Sequence, residues 1–126
     1  MIITGKYPKL RMRRSRKTDW MRRLVRENSL SSNDFILPIF VTEGKNKKIP
    51  IKTMPEVFRY SVDKLGQIVD RALKLKIPMV AIFPQTRNSL KDDYGREALN
   101  ENNLVCKAVR KIKDKYKNEI GIMTDV

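Results

Sequence analysis

The feature that most constrains the fold is an alternation, from residue 35 onward, of short apolar runs with segments that are apolar on one side only. Residues 35–41 (FILPIFV) and 79–83 (MVAIF) form two continuous apolar runs of strand length, and a third begins at Ile120. Apolar runs without polar alternation are typical of strands that are buried on both faces in a parallel sheet.

The segments between these runs have the spacing of amphipathic helices. Apolar residues recur at i, i+3, i+4, i+7 and i+8 in the first segment and at i, i+1, i+4, i+5 and i+8 in the second, which places each set on one helix face. Ser61 is a plausible N-cap of the first helix, Pro78 closes it, and Asn118 closes the second. The two faces consist of Leu65, Ile68, Val69, Ala72 and Leu73, and of Leu104, Val105, Ala108, Val109 and Ile112.

The order β-α-β-α-β predicts a parallel α/β unit with right-handed crossovers. Pro38 indicates that the first strand lies at an edge or starts irregularly. Residues 49–51 are expected to return as a small hairpin, and residues 84–100 form a polar loop. An eight-stranded α/β barrel needs about 250 residues, so three strands in this chain suggest the opening of such a barrel. The last predicted strand reaches Val126 without a helix to cover it, which suggests a fragment.

The first 17 residues contain seven basic residues, no acid and no apolar periodicity. They are interpreted as an extended arm that lies on another surface; a disordered tail is the alternative. Thr18 or Asp19 is predicted to cap a short helix with Trp20 and Leu24 on its buried side. We therefore divide the chain into a basic arm with a short helix, residues 1–34, and an incomplete barrel domain, residues 35–126.

Composition excludes several classes of site. The chain has no histidine, which removes His-based nucleophile activation and His-ligated zinc. Its single cysteine, Cys106, excludes an internal disulfide and a multi-cysteine metal cluster, and is predicted to be a small buried hydrophobe. No apolar stretch is long enough to span a bilayer or to form a secretory signal, so a cytoplasmic location without membrane contact is expected. A transit sequence in the Arg-rich first 26 residues remains an alternative.

The net charge of +14 allows two interpretations. One is a protein that binds nucleic acid or an anionic surface. The other, which we favour, is a set of solvated charges, because the basic residues beyond residue 26 are scattered along the helices. Tyr7 is the one aromatic residue among the bases of the arm, so stacking on nucleobases is not expected and no nucleic-acid partner is predicted.

Several segments, taken in order, resemble the amino-terminal part of the porphobilinogen synthases. They are the basic stretch 11–27, then 34–43 (DFILPIFVTE), 51–61 (IKTMPEVFRYS), 75–84 (LKIPMVAIFP), 91–100 (KDDYGREALN) and 122–126 (IMTDV). The resemblance runs from about residue 7 to residue 126. Glu56 departs from the family pattern at a usual glycine, Arg96 at a usual serine, and residues 85–87 (QTR) continue the second strand in an unusual way.

The resemblance implies a (β/α)8 TIM barrel preceded by an extended arm that wraps a neighbouring subunit in a homo-oligomer, typically an octamer. It implies condensation of two 5-aminolaevulinate molecules to porphobilinogen through two Schiff-base lysines, with zinc or magnesium as the metal. The reactive lysines lie in later strands and the metal cluster begins after Val126, so no residue of this chain is a metal ligand. Lys91 is interpreted as a loop lysine.

Two residues match the family's active-site positions. Asp125 matches an acid that lines the pocket at the end of the third strand, and the alternative is a turn or capping acid. Phe83 matches an aromatic that borders the substrate, and the alternative is core packing. The expected function is that of a porphobilinogen synthase, of which these 126 residues form a part that is inactive alone. The competing hypothesis is an inactive remnant that acts as a basic nucleic-acid-binding or interaction protein.

Overall fold

The computed structural model describes residues 5–11 and 13–124. Contacts divide the chain into two units after Leu30, and each unit is described by itself. In the first unit a 3-10 turn, Arg14–Arg16, precedes helix α1, Asp19–Leu24. The Thr18 side chain makes no capping hydrogen bond to this helix. Trp20 is 56% exposed and Leu24 is 77% exposed, so their predicted burial is wrong within this unit. A six-residue helix has no second element large enough to enclose them.

The second unit is built on one five-stranded sheet. Its strands are β1 (Ile36–Thr42), β2 (Lys48–Pro50), β3 (Phe58–Ser61), β4 (Met79–Pro84) and β5 (Gly121–Thr124), in the spatial order β2-β3-β1-β4-β5. β1 is parallel to β3 and β4, and β4 is parallel to β5. β2 is antiparallel to β3.

Helix α2 (Leu65–Lys74) connects β3 to β4, and helix α3 (Leu104–Tyr116) connects β4 to β5. They pack on one face of the sheet and bury the predicted residues Leu65, Val69, Ala72, Ala108 and Ile112. The predicted β-α-β-α-β alternation is therefore confirmed. The strand residues on this face are Leu37, Ile39, Val41, Val80, Ile82 and Ile122.

The hairpin differs from the prediction. Residues 49–51 are predicted to form a small hairpin; β2 does form an antiparallel pair, but its partner β3 is a strand that the sequence pattern missed. β3 is only four residues long, and Arg59 and Ser61 alternate there with aromatics, so it contains no apolar run. Ser61 ends β3, and its hydroxyl accepts a hydrogen bond from the Lys47 N–H at 2.8 Å instead of capping a helix.

Of the two predictions made from Pro38, the edge position is wrong, because β1 lies between β3 and β4. The irregular start agrees with the pairing of β1, which begins later on one side than on the other. Pro38 pairs with Ala81 of β4. On the other side, the described pairing with β3 starts only at Phe40, so β1 has no described neighbour there at Pro38. A proline that donates no hydrogen bond is tolerated where one side of the strand lacks a partner.

The turn before β3 forces a non-glycine residue into a left-handed conformation. Glu56 has φ +63°, and the Val57 N–H closes the turn on the Met54 carbonyl at 3.2 Å, with Pro55 at the first central position. A turn of this kind normally takes glycine at the second central position, because a Cβ is strained there.

Replacing Glu56 with glycine is expected to raise the free energy of unfolding by about 0.5–1 kcal/mol. Glycine removes the strain of a Cβ in the left-handed conformation, and this gain exceeds the cost of the greater conformational entropy that glycine gives the unfolded chain. Chemical denaturation measures the change. Glu56→Ala is the matched control, since it removes the same charge but keeps the Cβ. Equal stabilities of the glycine and alanine variants would contradict the turn assignment.

Candidate active-site end of the sheet

The carboxyl ends of β1 and β4 lie side by side, which is the end at which α/β barrels place their active sites. The Gln85 N–H donates to the Val41 carbonyl at 2.7 Å, one residue beyond the end of β4. The buried Thr42 hydroxyl donates to Gln85 Oε1 at 3.0 Å. These two bonds fix where the loop that follows β4 leaves the sheet.

An ion pair between Glu43 and Arg87 joins the next residues of the same two loops. The sequence pattern identified residues 85–87 only as an unusual continuation of the strand, yet Gln85 and Arg87 both hold the end of β4 against β1. No spacing or composition signal indicates this pairing, because its partners Thr42 and Glu43 lie 43 and 44 positions earlier in the chain.

Phe83 is the aromatic residue near the end of β4, and it lies on the face of the sheet opposite α2 and α3. It pairs in register with Phe40 of β1, and the two ring centroids are 5.6 Å apart with planes tilted by 30°. Both rings are half-buried. Phe83 therefore packs against another side chain and also leaves ring surface open on the face that a closed barrel would turn inward.

The loop between β1 and β2 is anchored to the start of α2 by Asp63. Both carboxylate oxygens of Asp63 accept from the Asn46 N–H, at 3.0 and 3.2 Å. A hydrogen bond from the Ser61 side chain, followed by the Asn46 bond, lowers the pKa of Asp63 below its usual range despite some desolvation. The carboxylate is therefore charged at neutral pH and stabilises Asn46, which has φ +56°.

A cleft of about 560 Å³ opens beside these loops. Its charged lining is mixed: Glu43 and Arg87 are paired with each other, while Glu97 and Lys107 lie on the loop after β4 and on α3. The Glu97 carboxylate accepts from Asn100 Nδ2 at 3.2 Å. Phe83 does not line this cleft.

No lysine in the described ranges is buried, and Lys91 lies exposed at the end of a short 3-10 turn. Schiff-base chemistry needs a lysine whose pKa is lowered by desolvation or by a neighbouring cation. At Lys115 the hydrogen bond to Tyr116 and the neighbouring Asp70 raise the pKa, which is the opposite direction. The described residues thus offer no amine that is prepared for nucleophilic attack.

Over residues 5–11 and 13–124, no three His, Cys, Asp or Glu side chains come together in a way that would hold a metal ion. Cys106, predicted to be a small buried hydrophobe, is a free cysteine in the first turn of α3 and is only half-buried. Asn103 caps that turn by accepting from the Cys106 N–H at 2.8 Å, which places the cysteine near the solvent-facing helix start. Asp125 lies outside the described residues.

In the part of the chain that is described, no helix has the length and apolarity to cross a membrane.

Comparison with known proteins agrees with this geometry. The family described as "Delta-aminolevulinic acid dehydratase" matches residues 9–126. A dehydratase of that name from Bradyrhizobium diazoefficiens is 51% identical over 117 residues, which is 93% of this chain and 33% of the relative. One from Methanothermus sociabilis is 40% identical over 96% of this chain and 37% of the relative. The chain thus spans about a third of the length of these relatives.

A solved structure shares the fold. The crystal structure of delta-aminolevulinic acid dehydratase (porphobilinogen synthase) from Toxoplasma gondii, in complex with the reaction product porphobilinogen, superposes with a TM-score of 0.80 at 30% identity. The match covers 93% of this chain and 33% of that one.

Sheet order, one-sided helices and the paired ends of β1 and β4 define the opening part of a parallel α/β barrel. Within that class, the chain belongs to the delta-aminolevulinic acid dehydratase family. The resemblance drawn from the sequence segments is confirmed.

Proposed function

We propose that this chain forms the amino-terminal part of a porphobilinogen synthase, which condenses two molecules of 5-aminolaevulinate to porphobilinogen. The observation that carries the proposal is the match to the dehydratase family over residues 9–126, on a sheet whose β1 and β4 ends are tied together at the barrel's catalytic end. The residues described here supply scaffold and pocket wall. They supply no activated lysine, so the 126-residue chain is expected to be inactive alone.

Two residues are proposed to take part in the site. Phe83 presents its open ring surface to substrate, supported by its stacking on Phe40 on the face that carries no helix. Asp125 follows the end of β5 in the sequence, and we propose that it orients water or a substrate ammonium group. This role rests on the strand-end position that active-site residues occupy in α/β barrels.

Members of the family use metal ions, and zinc or magnesium is the proposed metal of the complete protein. No candidate metal site is found over residues 5–11 and 13–124, and we propose that the ligands lie outside these residues. We further propose a cytoplasmic homo-oligomer, octameric by family resemblance, in which the arm docks on a second subunit. The exposed Trp20 and Leu24 of α1 support the docking, since large apolar side chains left open in one unit commonly mark an interface.

A fusion protein tests the proposed site residues. It joins residues 1–126 to the aligned remainder of the Bradyrhizobium diazoefficiens relative. In this fusion, Asp125→Asn is expected to lower kcat by about 100-fold, the contribution typical of a positioned acid or base. Phe83→Leu is expected to raise KM by about 10-fold, because it removes apolar contact with bound substrate. Porphobilinogen formation is measured over a range of 5-aminolaevulinate concentrations.

The matched controls are Asp114→Asn, on the exposed side of α3, and Phe35→Leu, whose ring is 46% exposed before β1. Both controls are expected to keep the activity of the unmodified fusion. If Asp125→Asn or Phe83→Leu is as active as its control, the proposed role of that residue is wrong.

A further inference from the structure

The first unit concentrates the positive charge of the chain. Residues 1–30 contain ten lysine and arginine residues and two acidic residues, Asp19 and Glu27, so they carry +8 of the net +14. Like charges at this density repel one another, and a bound counterion of high charge would offset that repulsion. The question is whether the unit contains a defined place for such an ion.

A pocket of about 330 Å³ lies between the 3-10 turn Arg14–Arg16 and the chain that leaves α1. Three arginines line it, Arg16, Arg22 and Arg26. The remaining lining residues are Asp19, Val25, Glu27 and Asn28. The pocket therefore brings three arginine residues from successive turns of the chain to one concave surface.

Two acids line the pocket, Asp19 and Glu27, and Asp19 already has arginine partners. Asp19 pairs with Arg22 at 3.4 Å and with Arg23, which lies outside the pocket, at 3.4 Å. Arg22 also donates to the Arg16 carbonyl at 3.2 Å, which holds its guanidinium across the pocket. The guanidinium groups of Arg16 and Arg26 make no hydrogen bond or ion pair with any residue in the described ranges.

We propose that this pocket binds a small polyvalent oxyanion of the phosphate class. Arg16 and Arg26 each present a planar fork of N–H donors, the geometry that pairs bidentately with phosphate oxygens. Arg22 is held by Asp19 and by the Arg16 carbonyl and adds a third positive charge to the pocket. Glu27 opposes the anion and limits its affinity. The site goes beyond the proposed enzymatic function and does not depend on it, since all of its residues lie in the first unit.

Isothermal titration of the 126-residue chain with pyrophosphate, at ionic strength held constant with sodium chloride, tests the proposal. The double variant Arg16→Gln/Arg26→Gln is expected to weaken binding at least about 10-fold, the effect of losing charge-assisted bidentate contacts. The matched control Arg13→Gln/Arg14→Gln removes the same two charges from residues that do not line the pocket. It is expected to stay within about 3-fold of the unmodified chain, as removal of exposed charges normally does.

The variant Glu27→Gln keeps every arginine and is expected to tighten pyrophosphate binding by about 3-fold, through loss of an opposing charge. Equal weakening in the two double variants would overturn the proposal, because it would show diffuse attraction to the arm. A single-stranded oligonucleotide that binds more tightly than pyrophosphate and responds to both double variants alike would also overturn it, in favour of nucleic-acid binding. The proposal would also be overturned if the titration gave no heat of binding at any pyrophosphate concentration lower than that of the added sodium chloride.

Discussion

Ile112→Ala is expected to lower the free energy of unfolding of the 126-residue chain by about 3 kcal/mol, the typical cost of truncating a buried isoleucine. Ile112 is 1% exposed in the middle of α3 and belongs to the cluster that joins both helices to the sheet. Its removal leaves a cavity between α3 and the central strands, where close packing prevents full collapse. Urea denaturation followed by circular dichroism measures the change in midpoint.

The matched control is Ile49→Ala in the edge strand β2, where the side chain is 40% exposed. This variant is expected to cost less than about 1 kcal/mol, because little of its apolar surface is withdrawn from water. If both variants lowered the free energy of unfolding equally, α3 would not cover the sheet in the way described.

Tyr116→Phe is expected to lower the free energy of unfolding by about 1 kcal/mol, the typical net contribution of one hydrogen bond, because the Asp70 side chain is 57% exposed. The Tyr116 hydroxyl lies 2.6 Å from Asp70 Oδ1 and 2.8 Å from the Gly66 carbonyl, and it accepts from Lys115 Nζ at 2.8 Å. It thereby ties α3 to α2. Phenylalanine keeps the ring in the core, so the loss reports on the hydroxyl alone.

The same cluster predicts a pH dependence. The hydrogen bond from Tyr116, followed by that from Lys115, lowers the pKa of Asp70 below 3.8. A carboxyl group whose pKa is lower in the folded chain than in the unfolded chain stabilises the fold at pH values above its unfolded-state pKa. This stabilisation is lost as the pH falls through the folded-state pKa. The difference between the unmodified chain and Tyr116→Phe should therefore shrink as the pH is lowered past 3.8.

Tyr94→Phe is the control for this variant, because Tyr94 is 80% exposed in the loop after β4. It is expected to change the free energy of unfolding by less than about 0.5 kcal/mol at any of these pH values, as surface substitutions normally do. A Tyr116→Phe variant as stable as Tyr94→Phe would show that the helices are not joined through the hydroxyl.

The parallel core of the fold was predictable from the sequence because its signals are local. Continuous apolar runs indicated β1 and β4, and one-faced spacing indicated α2 and α3, since burial against a sheet imposes these periods on the chain. The antiparallel hairpin was not predictable in this way. β2 and β3 together have seven residues, and their pairing depends on the turn at Glu56 and on contact with β1.

The candidate site was predictable only where family resemblance reached it. Phe83 is identified by its position at the end of an apolar run, but its stacking on Phe40 depends on the register between β1 and β4. The contacts of Gln85 and Arg87 with Thr42 and Glu43 join residues more than 40 positions apart, and no periodicity in the sequence indicates such pairs. The arginine pocket was likewise hidden, because the bases of the arm showed no regular spacing.

Porphobilinogen formation from 5-aminolaevulinate, measured for the 126-residue chain and for the fusion protein with zinc or magnesium supplied, tests the proposed function. We expect product from the fusion and none above background from the chain alone, because a Schiff-base lysine must be desolvated or lie beside a cation and no lysine of the described residues is buried. Product from the isolated chain, or a correctly folded fusion that forms none, would contradict the account.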